Sequence, residues 1–402
     1  MPQYLTPGVY VEELPAAIRP IAGVGTSTAG FVGVVADDVA MPLMPGRTGL
    51  DENKARRPED YYTVAPAGVA QLVDGWETFK RLFGDIADGN RTLARAVYGF
   101  FDNGGGRCWV TRVAAGKDGK PPAPKALTDA LATFDPIDEI ALVAIPGTVD
   151  AQVQEALLAH CENDYHQDRF AILDGQRTAT LTKAAIRGTL RDSTYSAIYY
   201  PWLDVGDTDA AGNPIYQPPS GHLAGVYARV DNERGVHKAP ANEVIRGALG
   251  VETAVSKQGQ AGLNPEDVNV IRRFDGNVTV WGARTMAGRN HTDLRYISTR
   301  RLLNFLRESI DEGTQWVVFE PNAPELWSKV RRNVGAFLTT VWTTGALVGN
   351  TPEQAFYVRC DETLNTAEVR DLGQLVVEVG VAIVRPAEFV VFRISQWSGG
   401  LS

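Results

Sequence analysis

Through the middle of this 402-residue chain, apolar runs alternate with helical stretches. That alternation predicts an α/β fold with a central, mostly parallel sheet flanked by helices. Past residue 289 the pattern changes to two long amphipathic helices followed by strands, which predicts a separate α+β unit. The two ends of the chain each read as an extended strand arm, held off from the body. A strand must find neighbours for its N–H and C=O groups, so an isolated one is a docking edge for another chain.

Composition narrows the function classes. The chain is 44% apolar, 22% charged and 9% aromatic, as in a globular protein with length for two or three packed cores. The formal net charge is −9, the wrong sign for coating phosphate backbones, so no nucleic-acid partner is expected. No apolar run is long enough to span a bilayer, and the N-terminus lacks a charged region ahead of an apolar core. Cytoplasmic synthesis without membrane insertion is the expectation. Cys108, Cys161 and Cys360 are odd in number and far apart, which predicts buried free thiols.

Five segments follow from the pattern. Residues 1–23 form the N-terminal arm, a strand at 4–14 cut from the body by Pro15 and Pro20. Residues 24–125 hold a buried strand at 24–35, a polar surface loop at 36–60, helices at 73–83 and 92–101, a strand at 108–113 and a linker at 114–125. Residues 126–288 carry the alternation itself. Strands at 139–145, 169–173 and 196–200 are interleaved with helices at 152–163 and 182–191. A helix at 221–232 and a hairpin across Asp275-Gly276 follow.

Residues 289–385 contain a helix at 299–310 with Leu302, Leu303, Leu306 and Ile310 on its apolar side. A second helix, at 325–340, is marked by Leu326, Val330, Val334, Phe337, Leu338 and Val341, with Pro324 at its first turn. Strands at 355–361 and 375–385 complete that unit. The C-terminal arm spans 386–402, with a terminal strand at 389–397.

The arms carry the candidate contact residues. Val9 and Val11 share a face opposite Tyr10. In the other arm Val390, Phe392 and Ile394 oppose Phe389 and Val391. Such alternation specifies register, and strand addition binds through main-chain hydrogen bonds. Pro15, Pro20 and Pro386 sit between arm and body as hinges.

Chemistry is weaker in the pattern. An α/β section could house a hydrolase-like cytoplasmic enzyme with strand-exchanged oligomers, and Asp174, Ser220 and His222 are the nearest candidates. No GxSxG elbow surrounds a serine, however, and Ser220 fits a helix N-cap. His160, His166, His222, His237 and His291 lack metal-binding spacing. Gly104-Gly105-Gly106 precedes a strand, as a tight turn does, and not a helix, as a phosphate cradle does. No cofactor is expected. Arg295, Arg300, Arg301 and Arg307 give one helix a basic face, suited either to solvent and local ion pairs or to an acidic partner.

Six blocks carry a family resemblance. Residues 6–13 (TPGVYVEE), 103–113 (NGGGRCWVTRV) and 218–242 (beginning PPSGHLAGVYARVDNERG) resemble contractile tail sheath proteins of phages, R-type bacteriocins and contractile injection systems. Residues 296–301 (YISTRR), 316–322 (WVVFEPN) and 385–394 (RPAEFVVFRI) are similar to that family's C-terminal signature. The resemblance implies a non-enzymatic subunit with a central domain like subtilisin in fold, and hexameric rings stacked helically around an inner tube. It further implies arms that add strands to neighbouring copies, and contraction that drives the tube through a target envelope. The implied partners are copies of itself, the inner tube protein, and baseplate and cap or terminator proteins. Arg295, Arg300, Arg301 and Arg307 become the expected tube contacts. The long insertions of many phage sheaths are absent from this sequence.

Overall fold

Strands joined by helices run parallel because each helix must cross a sheet face before the next strand can form. A computed structural model of the chain describes residues 20–51, 54–116, 121–288 and 291–393. Val9, Tyr10, Val11, Pro15 and Ile394 lie outside the described residues. Two compact units form: Val24–Glu308 together with the segment from Ile383, and Ser309–Ala382 together with residues 20–23.

The larger unit is built on a nine-stranded sheet. Its members are β1 (Ala29–Val34), β2 (Ala70–Val73), β3 (Cys108–Val113), β4 (Leu142–Ala144), β5 (Phe170–Asp174) and β6 (Ser196–Tyr200), joined by three later strands. A side hairpin, β7 (Leu203–Thr208) and β8 (Pro214–Gln217), comes next, followed by β9 (Glu243–Val244), β10 (Gly250–Val251), β11 (Val268–Phe274) and β12 (Asn277–Val280). The sheet order is β2-β3-β1-β4-β5-β6-β11-β12-β9, and β10 joins β7 and β8 in a separate sheet. From β3 to β11 all neighbours are parallel; β2, β12 and β9 add antiparallel edges.

Alternation along each strand feeds two cores. Phe31, Leu142, Phe170, Ile172, Ala197 and Tyr199 face one; Val32, Val143, Ala171, Leu173, Ile198 and Tyr200 face the other. The first core is closed by α1 (Trp76–Phe83), α2 (Arg91–Asp102) and a later helix, Ser220–Arg234. The second is closed by α3 (Pro124–Leu131), α4 (Ala151–Glu162), α5 (Lys183–Ile186) and α7 (Lys257–Leu263); Ser220–Arg234, on the first face, is α6. Helices α2 and α6 approach closely through glycine: a Cβ at Gly221 would lie 2.4 Å from the Ala96 Cα, and one at Gly225 2.4 Å from the Phe100 carbonyl oxygen.

The smaller unit begins within α8 (Ile297–Thr314) and is dominated by α9 (Pro324–Thr343). Pro324 occupies its first turn, and the six apolar residues expected on its inner face are buried. This helix packs on β13 (Phe356–Arg359), which pairs only with β14 (Glu378–Val381) among the described residues. The short helices α10 (Pro352–Ala355) and α11 (Ala367–Asp371) complete the unit. A two-stranded ribbon leaves both outer edges without a ladder partner.

Several elements differ from the sequence expectation. The stretch 114–125 was expected as linker, yet Pro124 starts α3, which buries Leu127, Ala130 and Leu131. The helix expected at 73–83 starts at Trp76 because Asp74-Gly75 ends β2 first. The expected 182–191 helix stops at Ile186, and Gly188 then takes a positive φ. The hairpin β7–β8 has no apolar alternation to announce it. Residues 389–393 of the expected terminal strand form no ladder among the described residues.

Gly225→Ala forces its methyl group against the α2 backbone and should lower stability by about 1–3 kcal/mol. Gly262→Ala, with open space around its Cβ position, should instead be neutral or stabilising by about 0.5–1 kcal/mol. Urea unfolding of the two variants reads the difference.

Candidate functional site

The C-terminal segment leaves the larger unit at a buried carboxylate. Glu388 Oε1 accepts from Asn264 Nδ2 and Arg284 Nε, each at 2.8 Å, and Oε2 accepts from Arg284 Nη2 at 2.8 Å and Tyr296 OH at 3.0 Å. The Arg284 guanidinium meets it edge-on, the two-bond geometry that a lysine cannot supply. Burial pushes the Glu388 carboxyl up, but the hydrogen bonds and charge of Arg284 with the Asn264 amide outweigh it and hold the group below the usual range. Immediately beyond, Phe389, Val390, Val391 and Phe392 are 72%, 68%, 76% and 84% exposed. Four large apolar side chains in sequence facing solvent are a surface without its cover. Pro386 is half-buried and Pro20 exposed.

The basic helix face is divided by the structure. Arg301 was expected among the tube contacts but is buried: it donates to both Asp231 oxygens, at 2.9 and 2.5 Å, and to the Thr26 carbonyl at 2.9 Å. Thr26 Oγ1 donates to the same carboxylate at 2.7 Å, and the guanidinium stacks over Tyr227. Arg301 is thus a structural tie, because α6 supplies a carboxylate that no local spacing announces. Arg300 lies over the Tyr195 ring at 4.4 Å and is half-buried, as is Arg295. Arg307 is exposed and bonds to Gln167 and the Asp164 carbonyl.

The residues weighed for catalysis serve packing. Asp174, at the end of β5, accepts from Ser220 N and Ser220 Oγ at 2.8 Å and from Gly147 N at 2.9 Å. Ser220 was expected to cap this helix and does not; Pro219 holds that position, and Asp174 accepts from the Ser220 N–H across the fold. This places a carboxylate at the helix N-terminus, where the free N–H groups and dipole favour it. Burial pushes Asp174 up to about 6, against the hydrogen bonds from Gly147 and Ser220. The His222 ring packs against Gly99, and burial lowers it to about 4. With the Ser220 hydroxyl given directly to a carboxylate, the three do not form a nucleophile–base–acid relay.

His160 and His166 stack at 5.1 Å, and both lie near Asp135, at 3.6 and 3.2 Å. Among the described residues no three His, Cys, Asp or Glu side chains group as metal ligands. The three cysteines are buried and free. No helix among the described residues is long and apolar enough to cross a membrane.

Fold and surface together define a doubly covered α/β domain, coupled in sequence to a small α+β unit and ending in an uncovered apolar segment. The phage tail sheath protein central domain matches residues 122–286, and the phage tail sheath C-terminal domain matches residues 290–396. A prophage major tail sheath protein of Pseudomonas aeruginosa (strain UCBPP-PA14) is 27% identical over 199 residues, covering 47% of this chain and 49% of its own. The chain spans about half the length of such curated relatives. Solved structures match end to end. The anti-feeding prophage helical sheath in the contracted state is 32% identical with a TM-score of 0.73, covering 97% of this chain and 99% of that one. A chain of the anti-feeding prophage baseplate is 31% identical with a TM-score of 0.72, covering 98% and 99%.

The chain belongs to the contractile tail sheath family. These relatives are sheath proteins of contractile systems, and nothing among them favours a hydrolase.

Asp231→Ala strands the Arg301 charge in the interior and should cost about 3–5 kcal/mol. Arg301→Met with Asp231→Leu should recover most of that loss, read by denaturant midpoints. Asp174 carries a second test. Its folded pKa is raised, so its contribution to stability is present below the ordinary aspartate value and is lost as pH rises through about 6. From pH 4 to 7 the stability difference between wild type and Asp174→Asn should move by about 2 kcal/mol in favour of the variant.

Proposed function

We propose that this chain polymerises as stacked hexameric rings around an inner tube, and that contraction of the sheath drives the tube through a target envelope. The observation that carries the reading is the end-to-end match to a contracted helical sheath at 32% identity. That match covers 97% of this chain and 99% of the sheath chain.

Strand donation is the joining chemistry. The C-terminal segment offers Phe389, Val390, Val391 and Phe392 uncovered. The β13–β14 ribbon offers two edges without a ladder partner among the described residues. A segment of another copy laid on such an edge would satisfy backbone groups and bury alternate side chains at once. Burying four such side chains returns roughly 1.5–3 kcal/mol each. Ordering the segment costs ~1–2 kcal/mol per residue, so a single junction is marginal. Many junctions along a helix hold tightly. The N-terminal arm, with Val9, Tyr10 and Val11, donates in the same way.

Pro15, Pro20 and Pro386 act as hinges that let bodies move while donated strands stay paired. The contact to the inner tube falls to Arg295, Arg300 and Arg307, since Arg301 is buried. The match to a baseplate chain supports baseplate association, and a cap or terminator protein would close the far end. The role is structural, with synthesis in the cytoplasm ahead of assembly into a phage tail-like particle.

Deletion of residues 1–14 should leave a folded body that fails to form tubes. Negative-stain microscopy at a concentration where the full chain forms striated hollow cylinders checks this. Normal cylinders from the deletion would refute donation by the N-terminal arm.

A further inference from the structure

Glu388 stands at a sharp change of surroundings. Its side chain is 16% exposed and that of Arg284 is 9% exposed, whereas the next four residues are all more than two-thirds exposed. Three separate stretches converge on the carboxylate: Asn264 just after α7, Arg284 beyond β12, and Tyr296 just ahead of α8. Arg284 is itself held from behind, donating to the Asn264 carbonyl at 2.8 Å with Asp267 at 3.9 Å. The anchor is therefore preformed on the body, and the segment supplies one side chain to it.

A carboxylate that gives up water for four donors does so at a desolvation cost. Phe389–Phe392 beyond it stay exposed, so among the described residues the clamp does not bring them into a core. We propose that Glu388 is a positioning residue for assembly: clamped by Arg284, Asn264 and Tyr296, it fixes the point from which Phe389–Phe392 are presented to a second copy of this chain. The proposal rests on the strand-donation reading above and deepens it.

Tether length shows why the clamp matters. An extended residue spans at most about 3.6 Å, so Phe392 stays within about 14 Å of the anchored residue. Upstream, the Arg385–Asp293 pair is exposed, and such pairs contribute ~0–1 kcal/mol. Further upstream, Ile383 sits in a β-bridge and Ala382 bonds through its backbone to Val348 and Ala355. Without the clamp, the free tether up to Phe389 grows from that residue alone to at most residues 384–389. Effective concentration falls roughly as the −3/2 power of tether length, a loss on the order of tenfold.

The test uses the purified full chain, with tube formation followed by sedimentation across a concentration series. The mobility of a nitroxide label on the monomer, attached at an exposed position through Ala387→Cys, is measured alongside, with hydrogen exchange of β6 and α6 as the control for folding. Glu388→Ala should raise the threshold for tube formation roughly tenfold and free the label, while β6 and α6 keep their protection. Glu388→Gln keeps the side-chain volume but loses the charge on both oxygens; it carries the same expectation and decides the matter should the alanine variant unfold. Unchanged motion of the label, or a freed label with an unchanged threshold, overturns the proposal. Truncation after Glu388 separates this from the reading beneath it, because it retains the clamp and removes the donated segment. If the truncated chain still forms tubes at the wild-type threshold, C-terminal donation itself is wrong. If only the truncation blocks tubes, donation stands and the clamp does not.

Discussion

A parallel sheet buried on both faces is the constraint on which the rest of this molecule depends. Each strand from β3 to β11 has to present apolar side chains to both sides, and each connection has to return across one of them. The consequence is two cores with one shared wall, visible in neighbouring residues such as Phe31 and Val32 or Tyr199 and Tyr200 that serve opposite cores. Loop, cap and ion-pair positions are then set by where the helices must begin and end.

Within that frame, buried charges act as ties between segments far apart in sequence. Asp174 joins the end of β5 to the start of α6; Asp231 joins α6 to Arg301 on α8 and to Thr26. Glu388 joins the C-terminal segment to three stretches of the body. Each buried carboxylate has its lone pairs taken up by several donors, the condition under which burial of charge is tolerated. Such ties define geometry more than they add stability.

The smaller unit follows a different logic. Its β13–β14 ribbon is too narrow to stand alone and is backed by α9, and its outer edges have no ladder partner among the described residues. An edge left open on a folded unit and an apolar segment left uncovered on another are complementary shortages.

Periodicity by itself determined the architecture. Apolar runs announced β4, β5 and β6, and steps of three and four announced α9 with its inner face residue for residue, because both signals reflect burial along a single element. Family blocks in the sequence pointed to the sheath assignment, which the end-to-end structural matches bear out. What only the tertiary structure decided concerns partners distant in the chain. That Arg301 is interior while Arg307 on the same helix is exposed depends on Asp231, seventy positions away. That Asp174 rather than Ser220 caps α6, and that Glu388 is anchored while Phe389 is not, likewise depend on groups brought together by folding. Polar elements such as β7–β8 carried no apolar period, and α3 was hidden behind the prolines before it. Local spacing reports which side of an element is buried; it cannot report which charge waits on the other side.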